Sequence, residues 1–348
     1  MCILQLLIWA VLPTVWLLSA AAASQITQAG PVGIARFGAA GHFAYQVPYG
    51  RDNQPWAPWP INTTEQLRVL KAACGGGRSK RRCVYKTDFP CGPAVFNTTL
   101  NESDIHVGYM QILARQAAAQ GIEVMGAMGI GSDWGVPTAG GVDAEEFGRR
   151  IARAMTGVTH WQMSDEWAVP HCMLPRVDYK RHWGMEKADY NASCMISWCA
   201  TMSAVIRGIH SVTPDAVTMP VAMGWTRLGI WNWIADERVP LDAIGLDWYS
   251  DGGDINCTCT EYPPLKCGQA GHKPCVNFLE LLAALLPNKP VWITEMNRKL
   301  GSCNGTAVVQ PPGTVCGKCS QDDNCKQGLS DQAAYVGSAL AKYGVWQF

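Results

Sequence analysis

Two glutamates stand where apolar runs give way to loops. Glu166 follows the run THWQMS (159–164) in the string Asp165-Glu166-Trp167. Glu295 follows PVWI (290–293) in Thr294-Glu295-Met296-Asn297. Carboxyl groups work in unequal pairs. One kept protonated gives its proton to a leaving oxygen, and one kept ionised attacks an electrophilic carbon. A single glutamate at a strand end is more simply a surface charge or an ion-pair partner, here of Arg298. Two at matched positions invite catalysis. Other chemistries lack their residues. The seven histidines form no H-E-x-x-H pattern, and no G-x-S-x-G turn is present. His171-Cys172 is isolated, and Cys316-x-x-Cys319 has zinc spacing in a chain whose cysteines point to disulfides. No metal or cofactor is expected.

The elements that must hold these residues alternate. Apolar runs at 33–39, 82–87, 122–127, 159–164, 216–222, 243–248, 290–294 and 344–348 read as strands. Helical patterns at 65–73, 105–120, 144–155, 192–210, 228–235, 276–286 and 331–343 lie between them, several with start signals such as Asp143 and Ser330. Eight strands alternating with helices predict an α/β fold, a (β/α)8 TIM barrel. The rival is a doubly wound open sheet, but no glycine-rich phosphate turn follows an early strand. The run at 344–348 ends the sequence. A closing helix is therefore expected to be missing, and the chain to be C-terminally incomplete.

A barrel gathers function at the C-terminal ends of its strands. Eight strands about 4.8 Å apart, tilted about 36°, give a radius of about 7.7 Å. The fourth and seventh strands then lie about 135° apart, with backbones about 14 Å apart across the mouth. Two inward glutamates reaching about 4.5 Å each leave roughly 5 Å between carboxylates, near the about 5–5.5 Å of retaining glycosidases and short of the about 6.5–9.5 Å of inverting ones. Tryptophans cluster at the same ends: Trp134, Trp167, Trp225, Trp248 and Trp346. An indole face packs on the C–H face of a pyranose, or else in a protein core. Trp292, inside a strand, reads as core. Arg36 in the first strand is a candidate to bind substrate, with a structural ion pair as the alternative.

MSDEW and WITEMN resemble the fourth- and seventh-strand motifs of clan A glycoside hydrolases, the retaining barrel superfamily that includes cellulase-, mannanase- and galactanase-like families. The resemblance implies that Glu166 is the acid/base and Glu295 the nucleophile. The clan's usual Asn before the acid/base is Asp165 here. Aspartate can accept a hydrogen bond from a sugar hydroxyl but not donate one, and it raises the pKa of Glu166 by like-charge repulsion. Tyr249, in DAIGLDWYSD, resembles the clan's sixth-strand tyrosine, which hydrogen-bonds the nucleophile. The same segment resembles the DxxDxDxE strand of family 18 chitinases, with Tyr249 in the place of the catalytic acid and Gly245 in that of an aspartate. That second resemblance implies a chitinase-like lectin without hydrolytic activity.

The N-terminus points to export. Residues 3–18 are apolar, and Ala21-Ala22-Ala23 fits a signal cleavage site before Ser24. No Lys or Arg precedes the apolar run, which leaves an uncleaved anchor as the alternative. The expected organisation is a signal peptide, 1–23, and one barrel domain, 24–348. After cleavage no stable membrane insertion is expected, since no later run is long and apolar enough. Of 15 cysteines one, Cys2, lies in the leader, so an even number remains, as full pairing requires. They fall into local groups: Cys74, Cys83, Cys91; Cys172, Cys194, Cys199; Cys257, Cys259, Cys267, Cys275; and Cys303, Cys316, Cys319, Cys325. Asn62, Asn97, Asn101, Asn191, Asn256 and Asn304 begin N-x-[ST] sequons. Formal net charge is zero, so no nucleic-acid partner is expected, and the basic run at 78–82 reads as a solvated loop. The reading is a secreted, disulfide-bonded, glycosylated retaining glycosidase for β-linked carbohydrate. A barrel lectin and a protein-binding scaffold are its rivals.

Overall fold

The computed structural model describes residues 36–41, 48–49, 54–55, 63–73, 82–88, 105–128, 143–164, 172–174, 184–223, 227–249 and 276–297. Five barrel strands pair in parallel and in sequence order: Arg36–Gly41, Arg82–Asp88, Ile122–Ala127, His160–Gln162 and Val217–Met219. The segment Val221–Met223 pairs with the sixth strand, Ile244–Tyr249, and that with the seventh, Val291–Asn297. Val217–Met219 and Val221–Met223 are two halves of one fifth strand with Pro220 between them. Proline has no N–H for a ladder. The ladder is handed over instead: Met163 N–H donates to the Met219 carbonyl, and Gly245 N–H to the Pro220 carbonyl. The hydroxyl of Ser164 accepts from Val221 N–H and donates to the Val221 carbonyl, both at 2.9 Å. The sheet is therefore continuous from the first strand to the seventh. The expected eighth strand, 344–348, lies outside the described residues. So does the helical pattern at 331–343.

The sheet curls. His160 on the fourth strand and Trp292 on the seventh have ring centroids 5.1 Å apart. In a flat sheet three strand spacings hold them about 14 Å apart. The fold is a (β/α)8 barrel. Its inner face carries Val84, Met125, Val217, Met219, Val221, Ala243 and Trp292. Gly245, in register with both Val221 and Trp292, has no side chain to compete with theirs. A Cβ there would sit 2.4 Å from Val221 Cγ2.

The outer faces of the strands meet a helix layer. Tyr85, Val124, Trp161, Leu246, Trp248 and Ile293 share one core with Leu67 of α1 (Thr63–Ala73), Leu113 of α2 (Ile105–Ala119), Ile151 of α3 (Ala144–Ala154), Val205 of α4 (Ala192–Val212), Ile230 of α5 (Leu228–Asp236) and Phe278 of α6 (Phe278–Leu285). Asp143 caps α3 as expected, accepting from Glu145 N–H; Ser330 lies outside the described residues; and two caps not foreseen are Asn191, accepting from Cys194 N–H, and Asn277, from Leu279 N–H. α3 and α4 cross at glycines. A Cβ on Gly148 would lie 2.2 Å from the Val205 carbonyl oxygen, and one on Gly208 2.1 Å from that of Glu145. Unforeseen are a two-residue antiparallel pair, Pro48–Tyr49 with Gln54–Pro55, and a 3-10 turn at Lys187–Asp189.

Full cysteine pairing is not reached. Cys172 and Cys194 form a disulfide and Cys83 is disulfide-bonded, but Cys199 is free. Cys199 lies on the buried side of α4, 1% exposed, inside the helix–strand core, more than a turn beyond Cys194. Asn191 of the predicted sequons is exposed. The other five lie outside the described residues.

Candidate active site

The seventh strand runs past the expected end at residue 294 to Asn297, and it is irregular there. Ile293 pairs with Leu246, yet Glu295 pairs with Asp247, so one extra residue, Thr294, has been inserted. Two residues opposite one is a β-bulge. Asp247 is fully buried, and its Oδ1 accepts a hydrogen bond from Thr294 Oγ1 at 2.6 Å. That length suits a hydroxyl giving to a carboxylate. Asp247 alternates with Leu246 and Trp248, which belong to the helix-facing core, and so stands on the inner face with Gly245. Glu295 thus occupies, by backbone register, a position opposite an inward residue near the C-terminal end of its strand.

On the fourth strand the inward positions are His160, Gln162 and Ser164. Gln162 and Ser164 are buried. Among the described residues, polar side chains at inner-face positions beyond the strand starts are therefore Lys86, Gln162, Ser164, Asp247 and Thr294. None of these was expected from the sequence. The available signal was a polar residue at inward parity inside an otherwise apolar strand.

The starts of the strands carry a different cluster. Arg82 Nη1 lies 3.0 Å from Glu123 Oε1, and His160 Nε2 lies 3.7 Å from Glu123 Oε2. Thr159 Oγ1 lies 2.7 Å from His160 Nδ1. This end of a barrel serves stability rather than chemistry.

The predicted site residues fall as follows. Glu295 stands opposite Asp247, and Tyr249 pairs with Asn297, two residues further along the seventh strand. Arg36 pairs with Arg82 at the start of the first strand. Trp248 is corrected: it is 2% exposed and its ring packs on Phe278, centroids 5.8 Å apart. It shares parity with Ile244 and Leu246, and that parity faces the helices, not the mouth. Trp292 is core, as expected. Glu166, Asp165, Trp167, Trp134, Trp225 and Trp346 lie outside the described residues, as do the long cysteine-rich insertions at 251–275 and 301–330. Among the described residues no group of three or more His, Cys, Asp or Glu could hold a metal ion.

The sequence matches no protein-family model and no curated protein. Solved structures are similar to it at low identity. A β-glucosidase from Thermotoga maritima is 10% identical, with a TM-score of 0.48 over 90% of this chain and 87% of that one. A psychrophilic glycoside hydrolase family 10 endo-β-1,4-xylanase is 15% identical, with a TM-score of 0.46 over 76% of each chain. A hyperthermostable endo-1,4-β-D-mannanase from Thermotoga petrophila RKU-1 is 12% identical, with a TM-score of 0.40 over 85% of each chain. The barrel stands on its own strand order, register and curl.

Proposed function

We propose that this protein is a secreted retaining glycoside hydrolase acting on β-linked carbohydrate, with Glu295 as nucleophile and Glu166 as acid/base. One observation carries the reading: the bulge in the seventh strand sets Glu295 at the register position of an inward residue, near the end of a barrel strand where barrel chemistry sits. Glu166 follows inward-facing Ser164 by two residues, one repeat of a strand.

Substrate lies across the barrel mouth in this reading. The carboxylate of Glu295 forms a bond to the anomeric carbon as the glycosidic bond breaks. Glu166 gives its proton to the departing oxygen. Glu166, now ionised, takes a proton from water, whose oxygen attacks the anomeric carbon and releases Glu295. Asp165 accepts from a substrate hydroxyl and helps keep Glu166 protonated. Tyr249 contacts substrate, with Trp134, Trp167, Trp225 and Trp346 as candidate platforms for sugar rings, while Arg36, at the start of its strand beside Arg82, takes the structural role. The reading needs no cofactor. It includes export, with the leader 1–23 removed and the exposed Asn191 among the glycan sites.

Glu295→Ala and Glu166→Ala are each expected to lower turnover of 4-nitrophenyl β-glycosides by at least about 10²-fold, and azide or formate to restore part of it in one of them. Full activity in both variants overturns the assignment. Binding of β-linked oligosaccharides by a wild type that hydrolyses none of them points to a lectin instead.

A further inference from the structure

We infer that the hydrogen bond from Thr294 to Asp247 clamps a β-bulge whose extra residue moves Glu295 from an outward to an inward register. Thr294 and Asp247 are then positioning residues for that carboxylate. The consequence for catalysis rests on the reading of Glu295 as nucleophile; the clamp itself does not.

Side chains alternate along a strand. Trp292 belongs to the inner core and Ile293 to the outer one. Continued without interruption, that alternation gives the outward position to residue 295, level with the helix layer. The observed register differs. Ile293 is opposite Leu246 and Glu295 opposite Asp247, so the seventh strand advances by two while the sixth advances by one. Met296 then stands opposite Trp248, which packs on Phe278 of α6, and Asn297 opposite Tyr249. The shift gives the helix-facing register to the apolar residue and the inward register to the acid. An unbulged strand gives the reverse.

A bulge leaves one residue without a partner in the ladder and must be held. Here the odd residue is Thr294, and its hydroxyl ties it to Asp247 of the neighbouring strand at 2.6 Å. Asp247 is fully buried on the inner face of the sixth strand. A carboxylate kept at such a place is costly to bury and calls for a specific acceptor role. It fills that role for the one residue that the bulge displaces. Threonine also suits the position as a β-branched residue that a strand accommodates while presenting a hydroxyl sideways.

The test uses the full chain and 4-nitrophenyl β-glucoside, β-xyloside, β-mannoside and β-galactoside. Thr294→Val keeps the shape and removes the donor. Its kcat is expected to fall about 10- to 100-fold, the scale of a misplacement near 1 Å, with KM within about threefold of wild type. Thr294→Ser, which keeps the hydroxyl, should recover most of kcat, a rescue that packing alone does not predict. If Thr294→Val does not fold, Thr294→Ala removes the same donor with less bulk and the same split is read from it. Unchanged kcat in the variant, or KM and kcat moving together without rescue by serine, overturns the inference. Should wild type hydrolyse none of the four probes, the proposed function fails by itself. Crystal structures of wild type and Thr294→Val then decide the clamp. Loss of the 293/295 register shift supports it, and an unchanged bulge overturns it.

Discussion

Asp247 and Cys199 are both buried polar-capable side chains, and their surroundings set opposite fates for them. Asp247 has a hydroxyl donor at 2.6 Å and keeps a structural task on the inner face. Cys199 sits 1% exposed in the helix–strand core, where burial pushes its thiol up to about 12. The thiolate is the reactive form, so at that pKa almost none exists near neutrality. In native protein at pH 8 the peptide carrying Cys199 should stay unmodified by iodoacetamide, and it should be alkylated once denaturant is added; peptide mass spectrometry reads both states. Labelling of the native protein at the rate of an exposed thiol contradicts its burial. That Cys172, Cys194 and Cys199 form a local group was legible, but which two of them pair was not. All three belong to or pack on one core, and position along α4 separates them: Cys194 in the first turn meets Cys172, while Cys199 lies more than a turn further on.

Among the elements, α3 and α4 show how a pair of glycines sets a distance. Gly148 and Gly208 face the partner helix's backbone so closely that neither has room for a methyl group. Gly208→Ala places a carbon 2.1 Å from the Glu145 carbonyl oxygen and 2.8 Å from Arg149 N, atoms that belong to backbone and cannot rotate away. The helices must separate, and the protein should lose about 1–3 kcal/mol, visible as a lower midpoint in thermal or urea unfolding. An unshifted midpoint shows that the crossing is soft. Most elements were legible from their period, and α3 also from its cap, Asp143; the cap of α4, Asn191, read only as a sequon. The seventh strand was read three residues short because a bulge resets the alternation on which strands are recognised, and Thr294-Glu295-Met296 contains no glycine to announce one. Trp248 was misplaced for a related reason. Its position at a strand end suggested the mouth, while its shared parity with Ile244 and Leu246 already pointed to the helices.

Over the whole molecule, curl is what turns separated residues into neighbours. His160 and Trp292 are three strands apart in the sheet and in ring contact across its interior. Trp292 is 2% exposed and packs with side chains of the second, third and fifth strands as one cluster. Trp292→Ala empties the middle of that cluster, and Gly245 beside it offers no side chain to fill the space. A loss of about 3–5 kcal/mol is expected in urea denaturation, with the helix layer's far-UV signal retained until unfolding. A loss well below 1 kcal/mol shows that the interior collapses readily around the gap. The barrel was legible as a count of alternating runs, since each strand buried on both faces reads as an apolar run. The inner polar residues were not, because a count of runs carries no parity.

The handover at Pro220 has a mechanical consequence. Beyond Met163 the fourth strand meets the fifth through one serine hydroxyl instead of a further pair of peptide groups. A swivelling oxygen on a single side-chain bond can follow a change of chain direction that a rigid peptide plane resists. The fifth strand can therefore bend at Pro220 with the Val221 N–H and carbonyl both satisfied.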